Sequence, residues 1–155
     1  MKFLVFSDSH EYTNGLERAI EKHNDITHII HCGDVSVDVE YLHHVYGTSH
    51  TICAVCGNND YRCDDPLFRV FSCEGHKVYV THGHKEHVKQ TLHTVVRAAE
   101  EKSCDICIFG HTHTQFFEKR ENLHLLNPGS IGYFRMEYAI LNIENDNVEI
   151  SLHKI

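Results

Sequence analysis

The stretch DICIFGHTH, residues 105 to 113, joins a short apolar run to two histidines that follow a glycine. A short apolar run rich in isoleucine is typical of a strand that is buried on both faces. His111 and His113 therefore follow the end of a predicted buried strand. One His-x-His pair is a weak sign of a site by itself, so its meaning depends on how the other strands end.

Four more apolar runs end in the same kind of residue. These ends are KFLVF before Asp8 and His10, THIIH before Gly33-Asp34, TICAVC before Gly57-Asn58, and KVYV before His82. In open α/β sheets the loops at the carboxyl ends of the strands converge on one ligand site. Three of the five ends carry a glycine before the polar residue, which lets the backbone turn tightly and approach an ion. The pattern predicts one site at one edge of the fold.

The residue types at this predicted site are those of a metal centre. The candidate ligands are Asp8, His10, Asp34, Asn58, His82, His111 and His113. They are too many for one tetrahedral zinc, which takes about four ligands, and they suit a pair of divalent ions that share a carboxylate. Oxygen and nitrogen donors without a thiolate favour Mn²⁺, with Fe, Zn²⁺ or Ni²⁺ as alternatives.

The rest of the chain predicts one α/β domain over residues 1–155. Apolar spacing predicts helices at 14–23, at 37–46 and at 88–99, with Asn14 capping the first and with the third as the longest. Strand-like runs separated by turns fill the last third of the chain, which indicates antiparallel hairpins. A parallel front and an antiparallel tail imply mixed sheets flanked by helices.

The ordered motifs resemble the calcineurin-like metallophosphoesterases, most closely the small single-domain phosphodiesterases of bacteria and archaea. The resemblance covers residues 8 to 113, and the NPGS sequence at 127–130 is also typical of the small members. It implies a four-layer α-β-β-α sandwich with two mixed β-sheets. It implies further that Asp8, His10, Asp34 and His113 hold one ion, and that Asp34, Asn58, His82 and His111 hold the other, so that Asp34 bridges them.

The resemblance also implies an activity, which is hydrolysis of a small phosphodiester by a hydroxide activated between two ions. The chain departs from the family at Asn59, where many members carry a histidine that contacts the substrate and assists the leaving group. Asn59 is the predicted catalytic and substrate-binding residue at this position, and His84 is a predicted substitute for the missing acid. Without that acid, substrates whose leaving group departs as a stable anion are favoured. Asn127 is a second predicted substrate-binding residue.

Two alternatives stay open at this stage. One is a phosphomonoesterase or nucleotide phosphatase. The other is a non-catalytic scaffold, because the resemblance extends to the small phosphoesterase-like subunit of retromer. Ligand-type residues at all seven positions favour catalysis. Apolar residues on an outer helix face would favour the scaffold, and Tyr41, Leu42, Val45 and Tyr46 give a modest hint of one.

Composition restricts the partners and the compartment. The net charge of −8 disfavours broad binding of nucleic acid, and no apolar run reaches the length of about 20 residues that spans a bilayer. Seven cysteines without a secretion signal predict a cytoplasmic protein. A homo-oligomer is a further possibility.

The Cys53/Cys56 and Cys104/Cys107 pairs lie in strand-like runs, so buried free thiols are predicted rather than a zinc site. For His31, strand packing is favoured over a role in orienting a ligand.

Overall fold

The structure is a computed structural model that describes residues 1–61 and 63–155. The first half contains β1 (Lys2–Phe6), α1 (Thr13–Lys22), β2 (His28–His31), α2 (Ser36–Tyr46) and β3 (Thr51–Ala54). The second half contains β4 (Phe68–Cys73), β5 (His76–Thr81), α3 (His93–Glu100), β6 (Ile106–Ile108), β7 (Gln115–Arg120), β8 (Leu123–Pro128), β9 (Glu137–Glu144) and β10 (Asn147–Lys154). No helix in these two ranges is long and apolar enough to cross a membrane.

The strands form two five-stranded sheets, and both are mixed. The first has the order β10-β9-β1-β2-β3, in which β1, β2 and β3 are parallel and β9 and β10 are antiparallel. The second has the order β4-β5-β6-β8-β7, with β5, β6 and β8 parallel and with β4 and β7 antiparallel at its edges. The predicted α/β class with two mixed sheets is confirmed.

Three apolar cores hold the four layers together. Alternate residues of a strand face opposite sides, so Phe3 and Val5 of β1 pack between the sheets while Leu4 and Phe6 pack towards α1. Residues of α3 cover the far side of the second sheet, where Val95 contacts the core that contains Phe109. The order helix, sheet, sheet, helix is the predicted α-β-β-α sandwich.

Two of the helix predictions are wrong in detail. Asn14 does not cap α1, because the cap position is Tyr12 and no side chain makes a cap hydrogen bond there. The helix predicted at 88–99 is shortened to the eight residues of α3, so α2 with eleven residues is longer. Val88 is buried, but its backbone nitrogen bonds to the carbonyl of Gly83 in a turn. Apolar residues at helical spacing thus reach the core here without a continuous helix.

The prediction for Cys56 is also wrong. Cys56 and Cys63 form a disulfide with a Cα–Cα distance of 6.0 Å. Cys104 and Cys107 are buried free thiols as predicted, whereas Cys53 is free but only half-buried. The chain reverses after β3 and brings position 63 back to position 56. This reversal lies in a loop, and the strand-like pattern around Cys56 gives no sign of it.

Candidate metal centre

The strands that carry the predicted ligands end at one rim of the sandwich. Four side chains, those of Asp8, His10, Asp34 and His113, each offer one ligand atom, and these atoms all lie within 4.8 Å of one another. They come from loops after β1, β2 and β6, so both sheets contribute. The structure therefore gathers the residues that were predicted to hold the first ion.

The residues predicted for the second ion lie beside this cluster. Nε2 of His82 is 3.1 Å from Oδ1 of Asn58 and 3.1 Å from Nδ1 of His111. It is also 3.9 Å from Oδ1 of Asp8 in the first cluster. A Cβ atom built on Gly57 would lie 2.7 Å from Oδ1 of Asp34, which places the Asp34 carboxylate directly against the backbone that precedes Asn58.

The side chains around His82 carry the atom types that bind a divalent cation. Nδ1 of His82 is 2.8 Å from the carbonyl oxygen of Cys32, to which it can only donate a proton. Nε2 of the same ring points towards Asn58 and His111, the other two side chains that are predicted to hold only the second ion. Oδ1 of Asp8 is buried, and two imidazole nitrogens lie near it: Nε2 of His113 at 3.1 Å and Nε2 of His82 at 3.9 Å. A carboxylate, imidazoles and an amide that converge in this way fit a divalent cation.

Asp8 is the most deeply buried carboxylate of the cluster, with 0% exposure. Its Oδ2 atom accepts hydrogen bonds from the Ser7 hydroxyl at 2.6 Å and from the backbone nitrogen of His111 at 3.0 Å. Burial alone raises the pKa of Asp8, but His113, His82 and the Ser7 hydroxyl lower it by more, so the net shift is downward. Asp8 in turn raises the pKa of His113. The carboxylate thus stays ionised and available to a cation.

Backbone conformation aims the ligands at the centre. Five of the predicted ligands have a positive φ: Asp8 (53°), His10 (49°), Asp34 (77°), His111 (67°) and His113 (57°). Such strain persists only where the surrounding structure enforces it, and it concentrates at functional sites. Gly33 has a φ of 87°, and a Cβ there would lie 2.7 Å from the backbone nitrogen of Gly57. Glycine at this position is required by close approach of the β2 and β3 loops.

His31 supports two of the ligand loops from behind. It is fully buried, and its Nδ1 atom accepts a hydrogen bond from the backbone nitrogen of Gly33 at 3.1 Å. Its Nε2 atom is 3.2 Å from the hydroxyl of Ser9, the residue after Asp8. Burial lowers the pKa of His31 to about 4, so the ring is neutral near pH 7. His31 packs within its strand and also orients the turns that carry Asp8 and Asp34.

Asn59 and His84, the predicted catalytic residues, both lie beside the ligands. Asn59 is exposed, and it donates hydrogen bonds to both carboxylate oxygens of Asp34, from its backbone nitrogen at 2.9 Å and from its amide at 2.7 Å. The His84 ring centroid is 5.4 Å from that of His82, and its buried Nδ1 atom has no hydrogen-bond partner. Burial lowers the pKa of His84.

Asn127 lies inside the fold, away from the surface where a substrate would bind. It is fully buried, and its amide donates to the carbonyl oxygen of Gly110 at 2.8 Å and to the hydroxyl of Thr112 at 3.1 Å. Its Oδ1 atom accepts from the backbone nitrogen of Gly129 at 2.9 Å. Asn127 therefore holds the loop between His111 and His113 in place instead of lining the opening of the site.

Sequence reasoning gave no role to Asp60, which the structure shows to be a central loop residue. Its carboxylate accepts hydrogen bonds from the backbone nitrogens of Gly57 at 2.6 Å and of Asp34 at 3.2 Å. It also accepts from the backbone nitrogen of Ser36. An aspartate shortly after Gly57-Asn58 was the available signal, since aspartate commonly bonds to nearby backbone in turns.

Comparisons with known proteins agree with this geometry. Residues 1–146 match the family model of the calcineurin-like phosphoesterase superfamily domain. The probable metallophosphoesterase YsnB of Bacillus subtilis is 32% identical over 158 residues, which cover 99% of this chain and 90% of that protein. The solved structure of an archaeal phosphodiesterase matches with a TM-score of 0.75 and 26% identity, covering 99% of this chain and 100% of the other.

The fold is shared more widely than the sequence. Vps29 of Entamoeba histolytica, solved in complex with Zn²⁺, matches with a TM-score of 0.79 at 18% identity. The match covers 100% of this chain and 98% of that one. At this level of identity the likeness concerns the fold alone.

Proposed function

The chain belongs to the calcineurin-like phosphoesterase superfamily, and from that membership we propose that it is a phosphodiesterase that uses two divalent metal ions. The observation that carries the proposal is the cluster of Asp8, His10, Asp34 and His113, whose ligand atoms all lie within 4.8 Å of one another. His82, Asn58 and His111 lie beside this cluster, with Nε2 of His82 3.1 Å from each of the other two side chains. Carboxylate, imidazole and amide donors gathered in this way are the ligand types of a divalent-metal site.

The proposed ligand sets follow the two neighbouring groups of side chains. Asp8, His10, Asp34 and His113 would hold one ion, and Asp34, Asn58, His82 and His111 would hold the other. When bound, the ions supply an activated water and neutralise charge on the phosphate oxygens. Mn²⁺ is the preferred metal of this mixed oxygen and nitrogen set, with Fe, Zn²⁺ and Ni²⁺ as alternatives.

The residues of the chain provide orientation and proton control. Ser7 and the backbone of His111 fix Oδ2 of Asp8, and this leaves Oδ1 for the cation. The Asn59 amide, which donates to Oδ2 of Asp34 at 2.7 Å, is the proposed hydrogen-bond donor to a phosphate oxygen, but an amide cannot protonate a leaving group near neutral pH. His84 is the proposed proton donor in its place. Burial lowers the pKa of His84, so its ring is mostly neutral near pH 7 and few molecules carry the proton to be donated. This favours diesters whose leaving groups depart as anions.

The scaffold alternative receives little support from α2. Leu42 is fully buried, and Tyr46 packs against the same core. The hydroxyl of Tyr41 donates to the carboxylate of Glu17 on α1. Of the four apolar residues that gave the hint, only Val45 is strongly exposed, at 45%. Val37 of α2 is also exposed, at 62%, but two valines eight positions apart do not make a contiguous apolar patch.

The test is to measure metal content and activity on the same preparation. The protein is loaded with Mn²⁺ and assayed with bis(p-nitrophenyl) phosphate and with the monoester p-nitrophenyl phosphate. Asp34→Ala should remove the stoichiometric metal and the turnover, while the same change at exposed Asp146 should alter neither. Full activity of Asp34→Ala would refute the shared role of this carboxylate. Turnover of the monoester alone would replace the diesterase by a phosphomonoesterase.

A further inference from the structure

A loop with exposed aromatic side chains lies next to the proposed metal centre. This loop spans residues 130–136, between β8 and β9, and it carries Tyr133 and Phe134 with exposures of 62% and 97%. Single exposed apolar residues are common on proteins, but a contiguous group beside a site indicates contact with a ligand or partner. Neither ring has a role in the proposed metal chemistry.

The loop is attached directly to the residues around Asp8. The hydroxyl of Ser130 donates to the carbonyl oxygen of Asp8 at 2.7 Å, and the backbone nitrogen of Ile131 donates to the carbonyl oxygen of Ser7 at 3.0 Å. At the tip, the carbonyl of Gly132 accepts from the backbone nitrogens of both Arg135 and Met136 at 3.0 Å. The base of the loop is therefore fixed to the centre, and its tip is closed by its own hydrogen bonds.

Three rings form one group, which we call the aromatic platform: Tyr12, Tyr133 and Phe134. The centroids of Tyr12 and Tyr133 are 5.4 Å apart with an interplanar angle of 82°, and those of Tyr133 and Phe134 are 5.4 Å apart at 81°. Edge-to-face packing of this kind is favourable, and it leaves ring faces open. Tyr12 follows the predicted ligand His10 by two residues, so their Cα atoms are at most about 7 Å apart.

We propose that the aromatic platform binds a planar aromatic group of the substrate, a nucleobase or an aryl ring, whose phosphate lies at the metal centre. The inference rests on the proposed phosphodiesterase function and names the class of substrate. Aromatic side chains suit this role because they present a large face and have few rotatable bonds. The net charge of −8 repels a long polynucleotide, so the substrate is a small diester that carries one or two such groups.

The experiment compares two diesters that share the p-nitrophenolate leaving group. One carries thymidine as its second ester group, and the other carries methyl. Tyr133→Ala and Phe134→Ala are expected to raise KM for the thymidine ester roughly tenfold, with unchanged kcat and unchanged metal content. The matched control is Phe117→Ala on β7, where the ring is 41% exposed. This variant should leave the KM values for both esters unchanged.

The outcomes separate the platform from the proposed function. A rise of KM for both esters supports the platform with the nitrophenyl ring as its occupant, whereas unchanged KM for both overturns the platform while diesterase activity stands. If the wild type cleaves neither diester, the proposed function fails. In that case saturation-transfer NMR with thymidine 5′-monophosphate tests the platform. Weaker transfer to the thymine protons in Phe134→Ala than in the wild type supports the platform. Equal transfer in the two proteins overturns it.

Discussion

The Nδ1 atom of His82 lies 2.8 Å from the main-chain carbonyl oxygen of Cys32. Cys32 follows β2 in the first sheet, and His82 follows β5 in the second, so this hydrogen bond crosses the sandwich. It turns Nε2 of His82 towards Asn58 and His111. The geometry of the proposed second metal position therefore depends on how the two sheets dock.

Replacing His82 should have a larger effect on metal binding than the loss of a supporting contact. Loss of a supporting contact typically lowers metal affinity 10- to 100-fold, and His82→Ala removes a proposed ligand, so we expect a loss of more than about 100-fold. Isothermal titration with Mn²⁺ measures it. His44→Ala, at an exposed position on α2, serves as the control. Unchanged affinity and stoichiometry in His82→Ala would exclude it as a ligand.

Gly33 and Gly75 allow backbone strain to be separated from crowding. Their φ angles are nearly equal, +87° and +84°, but a Cβ on Gly33 would lie 2.7 Å from backbone atoms, whereas a Cβ on Gly75 meets nothing within 4 Å. Gly75→Ala should lower the free energy of unfolding by about 1–2 kcal/mol and keep metal binding. Gly33→Ala should cost more and abolish metal binding, because it pushes apart the loops of Asp34 and Asn58.

Urea unfolding and metal content of both variants check this prediction. Retention of full metal content by Gly33→Ala would show that the two loops can separate without loss of the site. Gly75 lies in the turn between β4 and β5. A loss of metal in Gly75→Ala would show that general destabilisation of the fold is enough to abolish metal binding.

Strand ends were the informative part of the sequence. Short apolar runs followed by polar residues placed His82 and Asp34 at one rim, because parallel strands carry their carboxyl ends to the same edge. The packing of β1, with Phe3 and Leu4 on opposite sides, also follows from the alternation of side chains along a strand. The fold and the gathering of the site residues were thus accessible from local pattern together with the family resemblance.

Features that depend on loop paths were not accessible. The Cys56–Cys63 disulfide requires a reversal after β3 that no periodic pattern encodes. The burial of Asn127 depends on its contact with the carbonyl of Gly110, seventeen positions away in the chain. The contact between Tyr12 and Tyr133 joins loops that are still further apart in sequence. Contacts between loops are fixed by three-dimensional packing and not by residue spacing.

The Cys56–Cys63 disulfide closes the loop that carries Asn58 and Asn59. A cross-link of this short length is expected to stabilise the fold by about 2–3 kcal/mol through the entropy of the unfolded chain. Cys63→Ser should therefore lower the free energy of unfolding by that amount, and it should weaken metal binding because the Asn58 loop is less restrained. Cys104→Ser, at a free thiol, is the control for the loss of a sulfur atom. Equal stability of Cys63→Ser and the wild type in non-reducing buffer would exclude a stabilising cross-link.

A cluster of rings outside the proposed ligand set should make stability depend on pH. Nε2 of His23 is 2.8 Å from the hydroxyl of Tyr138, and the rings of Tyr138 and His153 stack with centroids 5.2 Å apart. Burial is the main cause that lowers the pKa of both histidines below the ordinary value of 6.5. The folded chain then binds fewer protons than the unfolded chain, so the stabilisation is complete above pH 6.5 and is lost as the pH falls through the lowered pKa values.

The melting temperature in EDTA should therefore fall between pH 7.5 and pH 5, and the fall should be smaller in His23→Gln. Glutamine keeps a polar group near the Tyr138 hydroxyl but does not titrate, so it removes the part of the pH dependence that His23 contributes. Circular dichroism melts at pH 7.5 and pH 5 give the fall in melting temperature for the wild type and for His23→Gln. His44→Gln, at an exposed position on α2, is the reference variant. An equal fall in His23→Gln and His44→Gln would show that His23 does not contribute to the pH dependence of stability.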